Sequence, residues 1–359
     1  MAVKITPEIP RELFDFAVKS QISTGRYASK VVRDILGLLN QADKDVLAKI
    51  AKRGDDGTFT KARLDALLKE IRATYQEVYA TAAVDLKGQM YGLAETQAGA
   101  TSAIIASQLP AAFNVVQVTA DQLRAIVDTA PITVGPDKRL LLEEIYASLA
   151  AGKEEAIRGA IRLGMVEGET VSQTVQRLRG TRSNQYKDGV LEVTRRHAES
   201  IVRTATNHTS NQAMQAVYAA NAEVVKGWVF TSTLDSRTSL TCASLSGTKW
   251  PVGQGPIPPR HVRCRSVAIP EIKTWRELGI DRDELPVSTR SSKDGPVKAD
   301  ISFQDWLKGQ DKETQVDILG KARQRLFADG KLTIDRFTDD AGRIYTLDQL
   351  KEKYGGLIS

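Results

Sequence analysis

Two cysteines and a histidine, residue types that bind metals or act as nucleophiles, lie within 23 residues of one another: Cys242, His261 and Cys264. Thiolate and imidazole are the usual zinc ligands, and the spacing His261-x-x-Cys264 fits one edge of a tetrahedral site. The set supplies three of four ligands, and Asp235 is the nearest candidate for the fourth. Alternatively, the cysteines pack as buried apolar residues and His261 is hydrogen-bonded. The sequence leaves both interpretations open.

A nucleophilic pair of Cys242 and His261 is the one catalytic arrangement that these residue types suggest. The sequence identifies neither an oxyanion hole nor a partner to orient the histidine, and it lacks the phosphate-loop, nucleophile-elbow and zinc-protease motifs. Of the other histidines, His197 follows two arginines and is expected at the surface, and His208 is expected to be hydrogen-bonded. The prediction is therefore a protein that is not an enzyme and has no small-molecule substrate.

Positive charge concentrates in the same region. Five basic residues and one acid lie between Asp235 and Arg265, giving +4, whereas the other 328 residues share +2 of the net +6. A dense local charge favours a local anionic partner, either DNA phosphates or an acidic protein surface. The alternative is that the arginines hydrogen-bond carbonyl groups within the loop. The candidate contact residues are Lys249, Arg260 and Arg263.

A polar line precedes this region on a predicted helix. Arg203, Asn207 and Asn211 follow one another at i, i+4 and i+8, which puts them on one helix face. Because asparagine is unfavourable inside a helix, two in register indicate hydrogen bonds to a neighbouring segment. A solvated face is the alternative interpretation.

Composition bounds the class of protein. The 359 residues are 42% hydrophobic, which suffices for two or three domains with real cores. No hydrophobic signal region opens the chain, no stretch of about 18 apolar residues occurs, and two cysteines cannot form a disulfide framework. We therefore expect a protein made in a reducing cytoplasm, with no membrane partner.

Proline spacing predicts where helices run, because proline interrupts helix interiors. An apolar stripe with an eleven-residue repeat begins at Leu64 and predicts one long helix that ends at Pro110. A further helix is predicted from Gly189 to Ala222. Shorter amphipathic segments are predicted at 12–19, 30–52, 120–129 and 137–166.

The pattern changes after that helix. Val224–Thr233 is rich in β-branched and aromatic residues and predicts a strand, with shorter strand-like pieces at 248–250 and 267–269. Residues 281–300 are typical of a linker or surface arm. The last sixty residues are predicted to be helical, with Gly330 ending one helix and two cap pairs starting others, Ser302 with Asp305 and Thr346 with Gln349.

Taken in order, these motifs resemble the head-morphogenesis domain of tailed-phage minor head proteins, the family of phage Mu protein F. The segment 201–211 resembles the family's lead-in helix, and residues from Asp305 to Leu347 resemble a tail found on some members. The resemblance covers about 145 of 359 residues. Many members have cysteine where this chain has Ser239 and Ser266, which favours loop shape over a metal as the shared requirement. The motif residues are Trp228, Asp235, Arg237, Thr238, Cys242, Gly247, Pro259, His261, Cys264 and Arg265.

The resemblance implies a virion protein of the capsid interior or portal vertex that assists head assembly, DNA packaging or genome delivery. Its implied partners are the portal protein, a major capsid or scaffolding protein, and packaged DNA. No cofactor is expected apart from the open question of zinc. The alternative function is a zinc-supported DNA-binding or nuclease module built from Asp235, Cys242, His261 and Cys264.

The expected fold is mainly α: a long-helix N-terminal array, a small irregular α+β domain with short strands, and a small C-terminal helical domain. The predicted boundaries are 1–110 and 111–185 for helical regions, 186–270 for the head-morphogenesis domain, 271–300 for the arm, and 301–359 for the C-terminal domain.

Overall fold

The computed structural model describes residues 10–54, 61–135, 138–281, 289–292, 295–298, 301–339 and 343–358. It confirms the mainly helical fold with a few short strands and a C-terminal group of small helices. The elements in chain order are α1 (Arg11–Gly54), α2 (Lys61–Gln108), α3 (Ala120–Thr129), β1 (Ile132–Thr133), β2 (Arg139–Leu140), α4 (Leu142–Val166), α5 (Val171–Arg179), α6 (Val190–Ala220), β3 (Val225–Thr231), α7 (Leu240–Leu245), β4 (Lys249–Pro251), β5 (Val267–Ile272), β6 (Thr289–Ser292), β7 (Gly295–Lys298), α8 (Phe303–Lys308), α9 (Lys312–Leu319), α10 (Lys321–Ala328), a 3-10 helix (Ile334–Phe337) and α11 (Leu347–Ile358).

Two long helices begin the described chain. The long helix predicted up to Pro110 is confirmed as α2. The residues of its predicted apolar stripe are buried except Leu68, which is only partly buried, and the neighbouring Leu67 lies in the core instead. The two short segments predicted at 12–19 and 30–52 were wrong as separate helices, because α1 continues through both. The polar residues between them do not end the helix, since no proline or cap interrupts it.

The next helices start at side-chain caps. Thr119 with Gln122 forms a capping box at α3, and Thr170 with Gln173 forms another at α5, a helix that the sequence analysis did not predict. The segment predicted as helix from 137 begins only at Leu142, because Arg139 and Leu140 pair with β1 as strand β2. Short strands of two residues carry too little alternation to be recognised in sequence.

Helix α6 runs through the centre of the molecule. Its N-terminal half, including Leu191, Ala198 and Val202, packs into a helical core with α1, α2 and α4. Its C-terminal half, including Met214 and Tyr218, packs into a second core with the three-stranded sheet. One helix therefore connects both cores, and both faces of its middle section are buried.

The sheet has the order β4-β3-β5, with both outer strands antiparallel to β3. Trp228 on β3 pairs with Trp250 on one side and Pro270 on the other. Pro270 is tolerated because β5 is an edge strand. Gly227 is required opposite β4, since a Cβ there would lie 2.5 Å from the carbonyl oxygen of Trp250. The predicted strands thus form one small sheet.

The C-terminal part matches its predicted caps. Ser302 accepts a hydrogen bond from the Asp305 N–H at 3.0 Å, Gln349 donates its N–H to Thr346 Oγ1 at 3.2 Å, and Gly330 follows α10 with φ of 69°. Within the stretch predicted as an arm, β6 and β7 form an antiparallel hairpin. The small helices bury a third core that includes Leu240 and Ala243 of α7.

These cores extend across the predicted domain boundaries. The helical core joins residues from Val31 to Ala205, and the second core joins Leu13 of α1 to Ile269 of β5. The boundaries at 110 and 185 therefore do not separate independent cores, and the division of the chain into domains stays a prediction. None of the described helices is long and apolar enough to cross a membrane.

A buried ion pair lies inside the helical core. Lys153 Nζ of α4 is 2.5 Å from Asp43 Oδ1 of α1, with the two side chains 0% and 7% exposed. Tyr75 of α2 donates its hydroxyl to the same carboxylate at 2.9 Å. Burial lowers the pKa of Lys153, and the charge of Asp43 partly offsets this. Three helices are therefore tied at one polar point inside an apolar core.

Lys153→Met should lower the free energy of unfolding by roughly 3–5 kcal/mol, because Asp43 then stays buried without its cation. The double variant Asp43→Asn/Lys153→Met removes both charges and should regain most of that loss. Chemical denaturation measures both. Lys30→Met, which removes an exposed cation 3.1 Å from Asp34, is the control and should change the free energy by about 0.5 kcal/mol or less. Equal losses in the single and double variants would contradict the prediction.

Candidate functional site

A bidentate ion pair holds the two ends of the motif region together. Arg265 donates from both guanidinium nitrogens to the two carboxylate oxygens of Asp235, each at 2.6 Å. The Asp235 side chain is 17% exposed. Burial raises its pKa, but the hydrogen bonds and charge of Arg265, helped by Arg237, outweigh burial and leave the pKa of Asp235 lowered. The carboxylate is thus held ionised as a structural partner of Arg265.

The turn that follows Asp235 is built from its own side chains. Asp235 Oδ1 accepts the N–H of Arg237 at 3.1 Å, and Thr238 donates its hydroxyl to the Thr233 carbonyl at 2.5 Å. The Arg237 side chain is 79% exposed, so its backbone rather than its charge serves the turn. Short polar side chains fold this segment back on itself before α7 begins at the Ser239 cap.

Helix α6 supports the loop through its asparagines. Asn207 Nδ2 donates to the Cys264 carbonyl at 2.8 Å, and Asn211 Oδ1 accepts the Ala268 N–H at 3.0 Å. These are the hydrogen bonds to a neighbouring segment that the helix spacing predicted. Arg203 does not join them, because it pairs with Glu199 at 2.8 Å and reaches Ser29 of α1 at 3.3 Å. The polar line therefore divides between two neighbours.

Trp228 and Gly247 shape the floor and one turn of the site. Trp228 is fully buried and donates its indole N–H to the Gln254 carbonyl at 3.1 Å. Gly247 has φ of 84° and donates its N–H to the Phe230 carbonyl at 2.8 Å, which returns the chain from α7 to β4. A left-handed backbone here favours glycine. Trp228 thus connects β3 to the loop before His261, and Gly247 turns the chain towards β4.

The fold brings Cys242, His261 and Cys264 into contact. Cys242 Sγ lies 3.2 Å from His261 Nε2 and 3.5 Å from Cys264 Sγ. Among the described residues, these three form the single group whose ligand atoms lie close enough for a metal, all within 4.8 Å of one another. Asp235, predicted as the fourth ligand, is not in this group because Arg265 takes both its oxygens. The structure therefore brings together three of the four predicted ligands, without Asp235.

Burial and mutual contacts shift the pKa values of all three side chains. Burial lowers the pKa of His261, but its contact with Cys264 outweighs burial and leaves that pKa raised. Burial raises the pKa of Cys264, and hydrogen bonds from Cys242 and His261 reverse this and leave it lowered. The hydrogen bond to Cys264, together with burial, raises the pKa of Cys242. Of the two thiols, Cys264 is therefore the one that loses its proton more readily.

The local chain path at the cluster was not foreseeable in sequence. Arg263 has φ of 60°, a left-handed backbone that few side chains adopt, and its N–H is bound by Thr204 Oγ1 at 3.0 Å. Only glycine, asparagine or aspartate would have signalled such a turn. The α6 hydroxyl holds the turn between His261 and Cys264.

The predicted basic patch is dispersed in three dimensions. Lys249 pairs with Glu271 at 2.5 Å, Arg265 with Asp235, and Arg263 reaches Ser200 at 2.9 Å and Glu199 at 3.7 Å. Acids outside the segment, Glu271 and Glu199, therefore offset two of the four net charges, since Asp235 is already included in the count of +4. Of the three candidate contact residues, Arg260 alone lines a large cavity.

That cavity, which we call the Arg139–Arg260 cleft, has a volume of about 450 Å³. It lies between α6, the β1–β2 segment and the proline-rich loop, and its walls include Pro131, Pro259 and Gln212. Burial, followed by the charge of Arg139, lowers the pKa of Arg260, so the two guanidinium groups act on each other. Sequence analysis missed Arg139 because it stands more than 100 residues before Arg260.

His208 forms part of the same cleft. Its Nε2 lies 3.2 Å from the Ala130 carbonyl, as expected for a hydrogen-bonded histidine. Burial lowers the pKa of His208 to about 4, with Arg139 contributing in the same direction. The ring is therefore neutral at pH 7 and adds no charge to the cleft.

Comparison with known proteins identifies the region just described. The family model described as phage Mu protein F like protein matches residues 155–269, from within α4 to within β5. This segment, which we call the Mu protein F-like domain, is similar to that family, so the resemblance inferred from sequence is confirmed over these residues. The match begins earlier than residue 186, the predicted start of the domain. No curated protein and no solved structure matches the chain.

Asp235→Asn should lower the free energy of unfolding by about 2 kcal/mol, because Arg265 loses a charge-assisted bidentate partner. The lowered pKa of Asp235 means that the wild type loses this contribution as pH falls through that pKa, whereas the variant does not. Denaturation at pH 7 and at acid pH measures both effects. Asp121→Asn, at a carboxylate that is 94% exposed, is the control. If Asp235→Asn unfolds like the wild type at both pH values, the buried pair is contradicted.

His208→Gln should flatten the stability profile between pH 6.5 and pH 4. Below pH 6.5 the unfolded chain binds a proton that the native His208, with its pKa of about 4, does not bind. The wild type therefore loses up to roughly 3 kcal/mol over this range through this one group. Thermal melting against pH measures it, with His197→Gln at an exposed histidine as control. Parallel profiles for all three proteins would contradict the assignment.

Proposed function

We propose that the protein is a structural minor head protein of a tailed bacteriophage, located at the portal vertex or inside the capsid. The single observation that carries this proposal is the Mu protein F-like domain at residues 155–269, which belongs to a structural head-morphogenesis family. In this role the protein is made in the bacterial cytoplasm and becomes part of the virion, where it assists head assembly, DNA packaging or genome delivery.

The helical architecture suits a bracing role. Helices α1 and α2 have 44 and 48 residues, and they pack against α6 of the Mu protein F-like domain. At 1.5 Å per residue, helices of this length extend about 70 Å. Because α1 and α2 share a core with the domain, they would hold it at a fixed position relative to a partner bound elsewhere on these helices.

The proposed partner contact is the Arg139–Arg260 cleft. Its two guanidinium groups attract carboxylates, and its proline-lined walls accept an apolar peptide stem. The proposed occupant is an acidic loop of the portal protein. Two other candidate contacts form ion pairs within the chain, Lys249 with Glu271 and Arg263 with Glu199. A major capsid or scaffolding protein would be bound by the remaining helical surface.

Purified virions should contain the protein, and portal rings should retain it during co-purification. Arg139→Gln/Arg260→Gln should weaken retention by about tenfold, since two anion-binding groups are removed. Lys30→Gln/Lys308→Gln, at exposed lysines, removes the same total charge elsewhere and should leave retention unchanged. Mass spectrometry of virions and quantitative pull-down make the two measurements.

Two results would decide against this assignment. Virions that lack the protein, together with portal rings that do not retain it, would overturn the structural role. If the protein instead binds DNA, and the double arginine variant reduces the slope of log affinity against log salt by about 2, then packaged DNA is the partner of the cleft.

A further inference from the structure

We propose that Cys242, His261 and Cys264 hold a zinc ion that fastens α7 to the loop before β5. This inference is independent of the proposed head function, because it depends only on the three side chains and their surroundings. Cys242 comes from α7, whereas His261 and Cys264 come from the loop. The ion would therefore link two segments that share no covalent crosslink.

The observed separations suit tetrahedral zinc. With zinc–sulfur bonds of about 2.3 Å and zinc–nitrogen bonds of about 2.0 Å, two sulfur ligands lie about 3.8 Å apart, and sulfur and nitrogen lie about 3.5 Å apart. The structure has 3.5 Å between the sulfurs and 3.2 Å between Cys242 Sγ and His261 Nε2. The separations between Cys242 Sγ and the other two ligand atoms thus lie within a few tenths of an ångström of the tetrahedral values, and all three atoms lie within 4.8 Å of one another. A disulfide, by contrast, requires about 2.05 Å.

The histidine is already oriented as a zinc ligand. His261 Nδ1 is 2.9 Å from the Val262 carbonyl oxygen, which can only accept a hydrogen bond. The proton therefore resides on Nδ1, and Nε2 faces the two sulfurs. Zinc-bound histidines use this arrangement, in which a carbonyl fixes the tautomer and leaves the other nitrogen for the metal.

The fourth coordination position has room for one small ligand. A cavity of about 10 Å³, close to the space of one water molecule, adjoins Cys242 and His261. Its walls include Ser239 and Ser266, whose hydroxyl groups lie against the Cys242 thiol. A water molecule or one of these hydroxyls completes the tetrahedron.

Charge balance favours the ion in this buried place. The two thiols are 2% and 4% exposed, and each releases its proton to solvent when zinc binds. Two thiolates then neutralise the two charges of the ion, so no net charge is buried. Cys264 is also anchored to α6, because Asn207 binds its carbonyl. Zinc binding therefore tightens α7, the loop and α6 together.

The full chain, purified with reductant and with neither chelator nor polyhistidine tag, should contain one zinc per molecule by elemental analysis. Replacement by Co²⁺ should give thiolate-to-cobalt charge-transfer absorption and the intense visible bands of a tetrahedral site. Zinc should protect both thiols from a thiol reagent, and its removal should lower the melting temperature. The wild-type cobalt spectrum alone tests the proposal, whether or not any variant folds.

Two variants locate the site. His261→Asn should lose the zinc and the cobalt bands, whereas His197→Asn, at an exposed histidine, should keep both. Ser266→Cys should supply a third thiolate as the fourth protein ligand and tighten zinc binding by about tenfold or more. A wild-type protein that binds neither ion under reducing conditions overturns the proposal. So does a His261→Asn protein that keeps the full cobalt spectrum, because the metal would then lie elsewhere.

Discussion

The hydrogen bonds from Asn207 and Asn211 to the backbone at residues 264–268 are the interactions on which the candidate site depends. They satisfy buried backbone groups of an irregular loop that has few partners of its own, and an unsatisfied buried group costs about 1–3 kcal/mol. They also fix the position of Cys264, and through it the contact with Cys242 and His261. Helix α6 thus replaces regular strand pairing as the support of the loop.

The same helix makes the domain inseparable from its neighbours. One half of α6 lies in the helical core with α1, α2 and α4, and the other half lies in the core with the sheet. A force on the long helices would therefore act on the Mu protein F-like domain through these shared cores. The buried pair of Lys153 and Asp43 adds a fixed polar point to the helical core. These features suit a part that must keep its shape within an assembly.

The net charge of a sequence segment did not predict the location of the positive surface in the folded protein. The +4 of residues 235–265 predicted one basic patch, yet Glu271 neutralises Lys249 from β5, and Glu199 approaches Arg263 from α6. The positive cleft instead combines Arg260 with Arg139, and burial keeps His208 neutral beside them. The packing of helices and strands determines which charged side chains lie close together, and it joins residues that are far apart in sequence.

Local features of this protein could be predicted from its amino-acid sequence. Proline spacing and the apolar stripe defined α2, residue type defined β3, cap pairs started α8 and α11, and the ordered motifs identified the family, because these signals act over a few residues. Three features became visible in the folded chain alone: Asp235 pairs with Arg265, the left-handed turn at Arg263 lies between His261 and Cys264, and Arg139 lines the same cleft as Arg260. Those outcomes depend on which surfaces pack together, and packing is set by the whole core rather than by neighbouring residues.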